Sequence, residues 1–338
     1  MRALELRSYD AGPDSLVVVE RPVPRPQQNQ VLIRIAASPV NPSDLMFLRG
    51  LYGVKKELPV VPGFEGSGRV VEAGGGLFAR YLKGKRVACA ASPEGDGTWA
   101  EYMVTEASHC IPLRRATSLE QAAMMIVNPL TAYALMDKAV AGHHLAVVQT
   151  AAASALGQMI QSLGRRFQIP VINIVRRQEQ VELLEQAGSQ YTLNSSTTDF
   201  DERLRELCRK LKATLAFDAV AGEMTGRVMQ AMSKGATAIV YGALSEGACM
   251  IDPRSLIFEG KALEGFWLSS WLRAQSAVSM LRVSGRVQKL LDNDLKTEVR
   301  ARLPLEEATR GLQEYSHHMT GGKILFVPGL RKEGEEQK

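Results

Sequence analysis

No cysteine framework runs through this chain. Its four cysteines, Cys89, Cys110, Cys208 and Cys249, are scattered, with no C-x-x-C spacing. That excludes a disulfide scaffold and a clustered-thiolate metal site, and it points to a reducing cytoplasm. No apolar run approaches the ~18 residues that span a bilayer. Met1-Arg-Ala-Leu-Glu5 enters a strand-like pattern without a cleavable apolar leader, so no membrane partner is expected. A long basic run is also missing. The formal charge of +5 over 338 residues is modest, so nucleic acid is not expected; an anionic cofactor or small substrate suits it better. Internal repeats are absent. The most informative shortage is of glycine in one turn. After Leu145-Ala-Val-Val-Gln-Thr150 comes Ala151-Ala-Ala-Ser-Ala-Leu-Gly157, where a G-x-G-x-x-G fingerprint would place further glycines and only Gly157 remains.

That stretch nevertheless organises the chain. An apolar run suited to a strand buried in a parallel sheet leads into a turn of small residues. Leu156, Met159, Ile160 and Leu163 then repeat at helical spacing. The unpaired N–H groups and the dipole at such a helix start attract a phosphate, which makes Ala153, Ser154, Ala155, Leu156 and Gly157 candidates for a pyrophosphate loop. The same pattern also suits any strand–turn–helix of an α/β protein. The next apolar run, Pro170-Val-Ile-Asn-Ile-Val175, ends in Arg176-Arg177, about twenty residues beyond Gly157, where a dinucleotide fold keeps the residue that reads the ribose. A carboxylate there would repel a 2′-phosphate, whereas an arginine fork grips it, so the pair favours NADPH. The alternative is two solvated arginines at a helix start.

Before residue 118 the chain is β-rich. Leu16–Glu20, Val31–Ala36, Lys85–Ala90 and Trp99–Val104 read as short strands broken by proline and glycine. From Ser118 strands and helices alternate: Phe200–Leu211 is an amphipathic helix, and Leu215–Val220, Ala238–Tyr241 and Leu263–Trp267 are further strands. Ala274–Asn293 is again helical, and Val299–Leu303 and Lys323–Val327 are strands that return to the first domain. The expected fold class is α/β, a β-rich domain from both chain ends (1–117 and 266–338) around a doubly wound parallel-sheet domain (118–265). The tail Arg331–Lys338 is charged and expected to fray.

Val31–Asp44, Gly50-Leu-Tyr-Gly53 and Val61–Val71 resemble the medium-chain dehydrogenase/reductase superfamily, specifically its zinc-free reductases. Val127-Asn-Pro-Leu-Thr-Ala-Tyr133, Val148-Gln-Thr150 and Ser255–Ser269 are similar to mitochondrial-type trans-2-enoyl thioester reductases, with quinone oxidoreductases of the zeta-crystallin type close by. The resemblance implies a GroES-like catalytic domain, a Rossmann domain and NADPH. It implies that Tyr52 is the catalytic hydrogen-bond donor, beside Asn41. It puts Asn128, Thr131, Gly222, Tyr241, Gly242 and the G-K-x-x-L lysine, Lys323, on the cofactor, and Phe64, Phe266 and Trp267 in the substrate pocket. It also implies a homodimer in which Ala262–Trp267 pairs across a two-fold axis.

Zinc-bearing relatives carry cysteine at the place of Asn41 and histidine at that of Phe64, so no metal is expected here. His143-His144 and His317-His318 read as loop or surface pairs. The activity implied is hydride transfer to the β-carbon of an activated double bond, most simply a 2-enoyl thioester. A quinone or α,β-unsaturated ketone reductase is the first alternative. The second is a redox-inert binding protein with a degenerate cofactor loop.

Overall fold

The computed structural model describes residues 1–9, 12–317 and 319–330; His318 and the tail Arg331–Lys338 lie outside the described residues. The chain forms two compact units, Met1–Val127 with the chain from Ser284 onward, and Asn128–Val283. The sequence places these divisions at 117/118 and 265/266.

The first unit begins with the antiparallel ribbon β1 (Arg2–Leu6) and β2 (Leu16–Glu20). Its main sheet is built from β3 (Gln30–Pro39), β4 (Glu65–Ala73), β5 (Arg86–Ala90), β6 (Tyr102–Glu106) and β7 (Cys110–Pro112). In the second unit β8 (Val147–Gln149), β9 (Val171–Val175), β10 (Thr192–Asn194), β11 (Leu215–Asp218), β12 (Thr237–Val240) and β13 (Ala262–Gly265) form one sheet. The chain then returns through β14 (Val299–Leu303) and β15 (Lys323–Phe326), which extend the first sheet in the order β14-β15-β3-β4-β5-β7, with β6 on β3.

The second sheet is parallel throughout, in the order β10-β9-β8-β11-β12-β13. Starting from β8, the chain steps outward to β10 and then crosses back to β11, so the winding direction reverses between β8 and β11. Ligands of such open sheets bind outside the carboxyl ends of the strands at that reversal. Both faces are covered, so the strands are continuous apolar runs: every residue of Val171–Val175 is buried, Asn173 included. The helix Phe200–Leu211 packs Phe200, Leu204 and Cys208 into the same core.

Two expected elements shift. The strand after Gly142 is Val147–Gln149, and Leu145 is 61% exposed rather than inside it. The helix expected over 274–293 is Ala277–Leu290, started by the Ser276 hydroxyl, which accepts the N–H of Ser279; a separate short helix, Leu268–Arg273, precedes it. Among the described residues, no helix is long and apolar enough to cross a membrane.

Candidate active site

Both units carry candidate residues, most of them in the second. In the second unit they gather at the carboxyl ends of β8, β9, β11 and β12. The helix Ala155–Phe167 starts from Ser154, whose hydroxyl accepts the N–H of Gly157 at 3.1 Å and fixes the first turn. Gly157 is required by packing: a Cβ there would stand 2.5 Å from the Ala152 carbonyl oxygen. Ala152 and Ala153 are buried, so the turn keeps its path with alanines where glycines were expected. At the neighbouring strand end, Arg176 and Arg177 are exposed. The Gln180 side chain accepts both their backbone N–H groups at 3.2 Å. Among the described residues neither guanidinium pairs with a carboxylate, so both are free to meet an anion.

Asp218, fully buried at the end of β11, organises the turn on the other side of the reversal. Its Oδ1 accepts from the Thr150 hydroxyl at 2.7 Å and from the N–H groups of Val220 and Ala221 at 2.8 and 3.2 Å. Its Oδ2 accepts from the Thr225 hydroxyl at 2.6 Å. The carboxylate therefore ties the β8 turn to the β11 turn and holds Gly222 at the start of the next helix. Gly242 passes so close that a Cβ would lie 2.8 Å from the Ala219 carbonyl oxygen. Tyr241 precedes it; burial, reinforced by Asp218, pushes its phenol well up, and its hydroxyl is buried with no partner among the described residues. Asn128 and Thr131 lie buried in the first turns of the helix Val127–Ala141.

Ala221 adopts φ 63°, ψ −155°, a region that is almost exclusively glycine's. Ala221→Gly should therefore raise unfolding free energy by about 1 kcal/mol, the released strain exceeding glycine's added chain entropy. Urea unfolding checks it; a drop in stability would mean that the Asp218 turn carries no strain at this position.

In the first unit, Asn41 precedes the short helix Pro42–Leu48, and Tyr52 follows it. The half-buried Tyr52 ring lies on Phe64, centroids 4.7 Å apart, and Phe64 meets Phe47 edge-on at 5.5 Å. Beneath them runs a buried polar network. The Lys323 ammonium donates to the Val40 carbonyl at 2.9 Å, the Asn41 Oδ1 at 2.6 Å and the Tyr315 hydroxyl at 3.1 Å. The Asn41 Nδ2 donates to Glu65 Oε1 at 2.9 Å, and Glu65 Oε2 accepts the N–H groups of Ile126 and Val127, both at 2.9 Å. Asp44 accepts the N–H groups of Asn41 at 2.7 Å and Phe64 at 3.2 Å. Lys323, placed on the cofactor by the resemblance, is thus 2% exposed and spends all three donors inside this unit. Asn41 is fully buried in the same network. Phe266 and Trp267 are half-buried and follow β13; the Phe266 N–H donates to the Val240 carbonyl at 2.8 Å.

Burial raises the Asp44 carboxyl from 3.8 to about 7, against the opposing pull of the Asn41 N–H and Lys323. An acid raised in the folded state contributes stability that is complete below its ordinary pKa and is lost as pH rises through the folded one. Stability should accordingly fall between about pH 4 and pH 7, and Asp44→Asn should flatten that fall while lowering stability at acid pH. Thermal unfolding across this range checks it; an unchanged slope in the variant would show that another group is responsible.

Asp218, Glu65, Asp44 and Thr150 were not singled out from sequence. Ser43 was missed too; its hydroxyl lies buried in the first turn after Asn41 with no described partner. The available signals were acidic residues inside otherwise apolar or glycine-rich strand runs, at Phe64-Glu-Gly and Phe217-Asp-Ala. Of the histidines, His144 pairs with the Thr214 hydroxyl at 2.8 Å and His317 with the Gln313 carbonyl at 2.7 Å.

The alcohol dehydrogenase GroES-like domain model matches residues 27–115, and the zinc-binding dehydrogenase model matches residues 155–283. A mitochondrial enoyl-[acyl-carrier-protein] reductase of Arabidopsis thaliana is 32% identical over 267 residues, 77% of this chain and 70% of that protein. One from Xenopus tropicalis is 27% identical over 317 residues, 90% of this chain and 89% of that protein. Among solved structures, a Mesorhizobium loti protein assigned as an NADPH:quinone reductase superposes with TM-score 0.91 at 37% identity, over 97% of this chain and 98% of that one. A mycobacterial protein complexed with NADPH gives TM-score 0.83 at 25% identity, over 97% of this chain and 100% of that one.

Proposed function

The chain belongs to the medium-chain dehydrogenase/reductase superfamily, and from that premise we propose that it is an NADPH-dependent reductase of activated carbon–carbon double bonds, acting on 2-enoyl thioesters. The observation that carries this reading is the donor set around Asn41. Zinc does not fit it. The Asn41 amide is committed at one end to Lys323 and at the other to Glu65, and Phe64 offers no ligand atom. Among the described residues no group of three histidine, cysteine or acidic side chains could hold a metal. The substrate carbonyl must then be polarised by a hydrogen-bond donor, and Tyr52 is the hydroxyl beside Phe64.

The residues at the sheet reversal fit the cofactor. The first turn of the helix Ala155–Phe167 would take the pyrophosphate, and Arg176 and Arg177 the 2′-phosphate. Gly222, Tyr241 and Gly242, with Asn128 and Thr131, would flank the nicotinamide half. The chemistry NADPH supplies when bound is a hydride for the substrate's β-carbon. As negative charge gathers on the thioester oxygen, the Tyr52 hydroxyl donates to it, and a proton completes the α-carbon. Asn41, Lys323, Glu65 and Asp44 keep the first turn after Asn41 and the Phe64 backbone in place beneath the phenol. Phe64, Phe266 and Trp267 would line the acyl pocket.

The Mesorhizobium loti structure, at 37% identity, favours a second reading, a quinone reductase using the same cofactor residues. Initial rates of NADPH oxidation with crotonyl-CoA and with a small benzoquinone separate the two. The proposal expects the thioester to give the larger kcat/KM; a larger value for the quinone, indifferent to Tyr52→Phe, would favour the second. We also propose a homodimer. The edge strand β13 carries exposed Leu263, with Ile257 and Phe258, 70% and 73% exposed, just before it.

A further inference from the structure

A surface of the first unit combines exposed apolar side chains with unpaired positive charge. The short helix Leu77–Leu82 buries Ala79 and Leu82 and turns Leu77, Phe78 and Tyr81 outward, at 89%, 43% and 55% exposure. Phe78 and Tyr81 stack at 6.0 Å, and the Lys85 ammonium lies 3.0 Å from the centre of the Tyr81 ring. Arg80 projects from the same helix and Lys83 follows it, both exposed.

The positive surface continues through contacts that fix its extent. Arg69 on β4 donates to the Gly84 carbonyl at 2.7 Å and stands opposite Arg86 on β5. Arg86 donates to the carbonyls of Arg114 and Arg115, both at 2.9 Å, and both of those side chains are exposed. None of these cations forms an ion pair with a carboxylate among the described residues. Arginines elsewhere do: Arg2 with Glu101, Arg21 with Asp96, Arg227 with Asp201, Arg302 with Glu120. This face therefore carries several cations with no carboxylate partner among the described residues.

We propose that this face docks on an anionic lipid surface, with Leu77, Phe78 and Tyr81 entering the headgroup–acyl boundary and the surrounding cations held against acidic headgroups. An exposed leucine and two aromatic rings partition to that boundary, while lysine and arginine keep their charges at headgroup level. The cations come from a helix, two strands and two loops. They form an area of charge rather than a line, which matches a fluid charged plane better than fixed carboxylates on a partner helix. Each cation near an anionic leaflet strengthens binding about five-fold, so several together with a shallow apolar anchor suffice for reversible binding. The expectation of no membrane partner rested on the lack of a spanning segment; peripheral docking needs none.

The test is flotation of the full chain with vesicles of phosphatidylcholine alone or with about one third phosphatidylglycerol, at low and physiological salt. Binding to the anionic vesicles, weakened by salt and absent from neutral ones, is expected. Arg80→Glu with Lys83→Glu should weaken it at least about ten-fold, and Phe78→Ser with Tyr81→Ser should weaken it at unchanged charge. NADPH oxidation by all variants should match the parent, which confirms that they fold. Equal behaviour toward both vesicle types, or no flotation, would overturn the proposal. So would charge-dependent binding to an acidic protein such as polyglutamate-coated beads without any binding to vesicles.

Discussion

Tyr52→Phe is expected to lower kcat for crotonyl-CoA by about 10²–10³-fold, with KM changing little. Removing one donor aimed at a developing oxyanion costs about 3–4 kcal/mol of transition-state stabilisation, and the ground-state thioester oxygen carries too little charge to feel most of that loss. The Tyr52 ring contributes its packing through the face on Phe64 at 4.7 Å, and phenylalanine keeps that contact. Thermal unfolding of the variant, measured beside kcat, separates chemistry from folding. A variant as fast as the parent would move the donor elsewhere, and the buried Ser43 hydroxyl, one residue beyond Pro42, would be examined next.

Replacing both Arg176 and Arg177 by alanine should weaken NADPH by about 10–100-fold and leave NADH nearly unchanged or slightly tighter. A charge-assisted hydrogen bond to a phosphate contributes about 1.5–3 kcal/mol when sheltered. These guanidiniums are exposed, so the lower part of that range applies to each. The asymmetry between the cofactors carries the argument, since only NADPH has the 2′-phosphate. Fluorescence titration of each cofactor measures it. Parallel weakening of both would show that the arginines support the turn rather than read the phosphate. The backbone makes that less expected, because Gln180 holds both N–H groups independently of the guanidiniums.

The Rossmann half was legible because parallel strands buried on both faces leave little choice of residue. Val171–Val175 and Leu215–Asp218 stand out as apolar runs, and the helix Phe200–Leu211 shows its stripe over its full length. The strand expected at Trp99–Val104 begins instead at Tyr102. Trp99 is a fully buried core residue whose N–H and carbonyl bind Pro62 and Leu4, partners too distant in sequence for any local pattern to reveal. The buried network was hidden for the same reason. Lys323 reaches Asn41 across nearly the whole chain, and a lysine after two glycines looks like any solvated lysine until its donors are traced. Asp218 was hidden likewise: the expected strand Leu215–Val220 runs through it whereas the observed one ends at it, and two of its four donors, Thr150 and Thr225, arrive from other elements.

Reduction of crotonyl-CoA with NADPH deuterated at nicotinamide C4 tests the central claim most directly. The thioester product is analysed by NMR and mass spectrometry, using each of the two C4 epimers in turn. One epimer should deliver a single deuterium to C3 of butyryl-CoA, with the hydrogen added at C2 coming from solvent. No consumption of NADPH, or a product lacking deuterium at C3 with both epimers, would contradict a reductase that sends hydride to the β-carbon.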